Sequence, residues 1–119
     1  MSRVKVTYPT LSRSEVVNRL KKSTSDLRKA LPVTRIILFG SYALNRFTAA
    51  SDIDLLVVYE DPERQDAYKI VADEVRLPRL EPRVYTESQY RALLKGSRKF
   101  ATILATEGIS ILGEAKADG

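Results

Sequence analysis

Hydrophobic positions along the chain alternate between a helical and a strand-like spacing, and the changes of period mark out the elements. Ser12 and Glu15 form a Ser-x-x-Glu capping box, and Val16, Val17, Leu20, Leu27 and Leu31 follow at helical spacing. A helix is therefore expected from about Ser12 toward Ala30, with Ser23-Thr24-Ser25 weakening its middle and Pro32 stopping it. Thr34 to Phe39 (TRIILF) is a β-branched strand that ends at Gly40. Asp52 to Tyr59 (DIDLLVVY) opens polar, continues as an unbroken apolar run and is read as the central strand. Between the two, Ser41 to Leu44 is expected to form a short helix ended by a left-handed Asn45, with Arg46 to Ser51 as a loop.

The second half continues in the same manner. Asp61-Pro62 is read as the N-cap and first-turn proline of a helix that buries Ala67, Ile70, Val71 and Val75 and ends before Pro78. Leu80 to Tyr85 (LEPRVY) is a third strand, placed at a sheet edge by Pro82, which cannot donate to a ladder. Thr86 and Gln89 form a second capping box for a helix through Leu94. A last helix, from about Ser97 to Thr106, carries Phe100, Ile103 and Leu104. Gly108 caps it, and Ile109 to Leu112 adds a short strand. The expected class is α/β, helices flanking a small sheet, in one domain over residues 1–119. Residues 1–10 are read as a short edge strand or a loose arm, and residues 114–119 as a flexible tail.

Composition narrows the chemistry. No run of about 18 apolar residues is present, which excludes a membrane-spanning helix, and no signal-peptide pattern begins the chain. The absence of cysteine is compatible with a cytoplasmic protein and removes thiolate chemistry. The absence of histidine excludes Ser-His-Asp triads and His-ligated zinc, leaving carboxylates, hydroxyls, lysines and metal. The net charge of +5 suits an anionic partner, but because the basic residues are scattered along the chain it favours a nucleotide over a long nucleic acid.

The chemistry-bearing stretch is Leu38 to Val58, LFGSYALNRFTAASDIDLLVV. Residues two apart on a strand share a face, so Asp52 and Asp54 point the same way while Ile53, Leu55 and Val57 point the other. Side by side they repel, and a hard, oxygen-seeking cation such as Mg2+ would relieve them. The bland alternative is a polar strand start, with Asp52 capping a turn and Asp54 meeting a lysine or arginine. Gly40-Ser41 offers close backbone approach and free N–H groups to a phosphate, although Ser41 is equally suited to a plain N-cap.

Gly40-Ser41, a spacer, then Ser51-Asp52-Ile53-Asp54 followed by Leu-Leu-Val-Val resembles the signature of the polymerase β-like nucleotidyltransferase superfamily, and within it the minimal nucleotidyltransferases. The resemblance implies a mixed sheet and Mg2+-dependent transfer, with two ions, of a nucleoside monophosphate from ATP or another NTP to an acceptor hydroxyl. Gly40 and Ser41 would take the phosphates; Asp52 and Asp54 would hold metal. It also implies a third acid on the next strand, for which Glu81 stands at the right place in element order; its bland alternative is a surface glutamate. Minimal nucleotidyltransferases often pair with a HEPN-type toxin, which gives two expectations: transfer of AMP to that partner, or neutralisation of it by binding alone. Spare apolar surface also admits a homodimer. Arg46, Arg83 and Lys69 are further candidate phosphate or acceptor contacts; Tyr42 is expected to pack or to stand beside the nucleobase rather than act as a nucleophile, and Tyr85 to pack.

Overall fold

The computed structural model describes residues 11–113, so the expectations for residues 1–10 and 114–119 lie outside the described residues. The elements run α1 (Arg13–Ala30), β1 (Val33–Phe39), β2 (Ile53–Tyr59), α2 (Ala67–Glu74), β3 (Leu80–Thr86), α3 (Glu87–Gly96), α4 (Arg98–Glu107) and β4 (Ile109–Leu112). The four strands form one sheet in the order β3-β2-β1-β4. β1 pairs antiparallel with β2 and β4, whereas β2 and β3 are parallel, so the sheet is mixed. β3 occupies an edge, as Pro82 requires. No helix among the described residues is long and apolar enough to cross a membrane.

Alternation along the strands sorts the core into two layers. Ile36, Leu38, Ile53, Leu55, Val57 and Tyr59 face one way and pack with Val16, Leu20 and Leu27 of α1 and with Ala67 and Val71 of α2. Ile37, Phe39, Leu56 and Val58 face the other way and pack with Tyr90 of α3 and Leu104 of α4. Burial on both faces is the reason β2 reads as a continuous apolar run. Asp54 interrupts that pattern at the start of β2, on the face of Leu56 and Val58.

Local signals explain most helix ends. Both capping boxes form: Ser12 accepts from the Glu15 N–H, and Thr86 from the Gln89 N–H, each fixing a start at a stabilisation of about 1 kcal/mol. In the polar middle of α1, the Ser23 and Thr24 hydroxyls donate to the Arg19 and Leu20 carbonyls, so the helix continues through it.

Two expectations change. Ser41 to Leu44 is a hydrogen-bonded turn and not a helix, because its closures differ in span: Leu44 N–H to Gly40 (3.1 Å), Asn45 N–H to Tyr42 (3.1 Å) and Arg46 N–H to Ser41 (2.8 Å). Asn45 ends it in the left-handed region, at φ 59°. α2 begins at Ala67 and not at Asp61-Pro62. The Asp61 carboxylate accepts from the Ser88 hydroxyl at 2.6 Å, and the Tyr59 hydroxyl accepts from the Arg64 N–H at 2.8 Å. The intervening segment is thereby held as a loop against α3 and β2.

Candidate active site

β1 ends at Gly40, whose φ of +76° lies in the left-handed region that glycine enters without penalty. The missing side chain matters as much as the angle. A Cβ at this position would stand 2.2 Å from an Asp54 carboxylate oxygen, so the glycine backbone and the acid are in direct contact. The pairing of Phe39 with Asp54 in the β1–β2 ladder places them there. Beyond Gly40, the N–H groups of Ser41, Tyr42 and Ala43 make no hydrogen bond among the described residues; successive free amides of this kind form an anion-binding concavity. The turn is braced from below. Tyr42 is buried and stacks on Phe47 (4.1 Å between centroids, 7° between planes), and Arg13 of α1 donates to the Ala43 carbonyl at 3.0 Å. Tyr42 therefore packs, as expected.

The parallel β2–β3 register pairs Asp54 with Glu81. The row across the sheet is thus Phe39 with the adjoining Gly40, then Asp54, then Glu81, with Asp52 one step before β2. Asp54 is half-buried; Asp52 and Glu81 are exposed. Burial raises the Asp54 pKa above its ordinary value of 3.8; Arg83 opposes the rise, and the like charges of Asp52 and Glu81 add to it. Both acids therefore act on Asp54 electrostatically. Asp52 also meets a cation: Arg79, in the left-handed region at φ 57°, places a guanidinium nitrogen 3.4 Å from the Asp52 carboxylate.

The donor set suits a divalent cation of the Mg2+ kind: three carboxylates, one of them half-buried and crowded by like charge. Among the described residues no group of three or more acids converges as a ready cluster, and Asp52 would have to leave Arg79 to join one. Lys69 is spent elsewhere, bonded to Asp73 at 2.6 Å on α2. Arg83 shares the Asp54 and Glu81 side of the sheet. In the sequence it stood level with Arg46 and Lys69; its strand spacing from Glu81 is the signal that separates it from them, and nothing in the sequence marked Arg79. Concavities of about 720 Å3, beside Tyr85 and Leu93, and 570 Å3, along α1, lie away from these acids. The open row holds the acids and the free amides and those hollows do not, so chemistry outweighs volume in locating the site.

A family model for the nucleotidyltransferase domain matches residues 17–105, which include every residue of this row. The chain belongs to that family. A Methanocaldococcus jannaschii protein described as a candidate protein adenylyltransferase is 43% identical over 49 residues, or 41% of this chain and 50% of the relative. The chain thus spans about half the length of that relative. Among solved structures, a Sulfolobus solfataricus protein described as a candidate nucleotidyltransferase superposes with a TM-score of 0.56 at 16% identity, over 82% of this chain and 80% of the other. The Shewanella oneidensis complex of a tri-AMPylated HEPN toxin with an MNT antitoxin gives 0.51 at 19% identity, over 85% and 72%. At these identities the likeness speaks for the nucleotidyltransferase fold.

Proposed function

We propose that this nucleotidyltransferase transfers AMP from ATP to a hydroxyl on a partner protein of the HEPN type. The observation that supports the reading is the contact between Gly40 and the Asp54 carboxylate, which sets the turn after β1 against the half-buried acid. The M. jannaschii relative described as a protein adenylyltransferase and the S. oneidensis complex with an AMPylated HEPN toxin support the choice of donor and acceptor. The free amides after Gly40, with the Ser41 hydroxyl, receive the β- and γ-phosphates, leaving the α-phosphorus over Asp52 and Asp54. Asp52, Asp54 and Glu81 would hold Mg2+, which when bound stabilises charge on the triphosphate as a Lewis acid. Glu81, exposed at the edge strand, takes the proton of the acceptor hydroxyl. The hydroxyl oxygen bonds to the α-phosphorus, the bond to the bridging oxygen breaks, and pyrophosphate leaves.

The test is incubation with α-labelled ATP, Mg2+ and the co-purified partner. Label and an AMP-sized mass increase should appear on the partner with the native chain and be lost with Asp54→Asn. Transfer retained in that variant would refute the assignment. The Arg79–Asp52 pair favours a second reading, a module that neutralises its partner by binding alone. Stable co-purification without any mass change would establish that reading instead.

A further inference from the structure

Arg83 sits two residues after Glu81 on β3, and its register partner is Leu56 of β2. Its side chain therefore leaves the sheet on the side of Asp54. Its guanidinium carbon lies 5.9 Å from the ring centre of Phe39 and 6.0 Å from that of Phe100. Phe39 belongs to β1, two strands and roughly 10 Å from β3, so the side chain arches over β2 along the inner edge of the acid row. The two rings meet edge to face at 5.5 Å and 84°, making one aromatic corner from β1 and α4. Long cationic side chains on a surface ordinarily sweep through many rotamers; this one is held by the corner. Its N–H donors nevertheless make no hydrogen bond or ion pair among the described residues, and the residue is exposed. A rigid fork of free donors beside carboxylates that cannot bind an anion themselves is an oxyanion-binding arrangement.

Resting on the nucleotidyltransferase reading above, we infer that Arg83 is a substrate-binding residue, its guanidinium donating to non-bridging oxygens of the nucleotide's α-phosphate while Phe39 and Phe100 hold it in place. The Gly40–Ser41 turn reaches the row from the outer end of β1, and Arg83 reaches it from the inner side. The two anion sites thus flank Asp54 and divide the triphosphate between them. The positive charge of Arg83, which acts on Asp54 in the absence of nucleotide, becomes available to the substrate once it binds. The expected effect of losing it falls on phosphate recognition and not on the base or sugar.

Calorimetric titration of ATP with Mg2+ into the native chain, Arg83→Lys and Arg83→Gln tests this, with adenosine as the phosphate-free control. ATP affinity should fall about 10- to 100-fold in Arg83→Gln, with Arg83→Lys in between, and any adenosine binding should be unchanged. The 31P resonance of the α-phosphate should shift on binding to the native chain and lose that shift in Arg83→Gln. Equal ATP affinity in native and Arg83→Gln proteins overturns the inference and leaves the transferase reading standing. A native chain that does not bind ATP at all overturns both. Should Arg83→Gln fail to fold, Arg83→Lys decides: a loss of about threefold or more supports the inference, and unchanged affinity overturns it.

Discussion

Gly40→Ala is the sharpest perturbation of the site, because a single methyl group does two separable things. The backbone at φ +76° would have to hold an L-residue in the left-handed region, at a cost of roughly 1–2 kcal/mol. The new carbon would also stand 2.2 Å from an Asp54 oxygen, where ordinary contact begins at 3.4 Å, so the carboxylate must retreat by about 1.2 Å. Driving Asp54 off its rotamer adds roughly 0.5–1.5 kcal/mol. The expected total is about 2–3 kcal/mol, which lowers the melting temperature by roughly 8–15 °C for a domain of this size. The assay is a double-mutant cycle by urea or thermal unfolding. In an Asp54→Ala background the carboxylate clash is gone, leaving the backbone cost and a tight contact at 3.3 Å to the Cβ at that position, so Gly40→Ala should cost about 1 kcal/mol less there. Transfer should fall by roughly two orders of magnitude from the displaced carboxylate alone. Simple additivity of the two substitutions would show that Gly40 and Asp54 are not in contact, and with that the shared site is lost.

Two further outcomes follow from the same row. Ionised Asp54 is a liability to the folded chain: its pKa is raised above 3.8 by burial, Asp52 and Glu81, so the native state binds the proton more tightly than the unfolded chain. That advantage is present below the ordinary value and is lost as pH rises through the native one. Asp54→Asn should therefore melt a few degrees higher than the native protein at pH 7, with the difference closing toward about pH 3.8 and below, as followed by circular dichroism. Glu81→Gln, at an exposed position, should not lower the melting temperature, since it removes a like charge from beside Asp54, and should lower label transfer by roughly 100-fold or more.

The sequence by itself determined whatever is encoded within a few residues. The capping boxes at Ser12–Glu15 and Thr86–Gln89, the β-branched run of β1, the left-handed Asn45 and the proline that confines β3 to an edge all act through neighbours in the chain. The period-two placement of Asp52 and Asp54 is equally local. Where local chemistry offered two outcomes, distant partners chose. Asp61 had the makings of an N-cap, but its carboxylate is bonded to Ser88, and α2 starts later. The tertiary structure alone decided that Glu81 stands in register with Asp54, that Arg79 pairs with Asp52, and that Arg83 reaches Phe39 and Phe100. Strand register is set by burying both faces of β2 between α1–α2 and α3–α4, a condition on the whole core that no single segment contains.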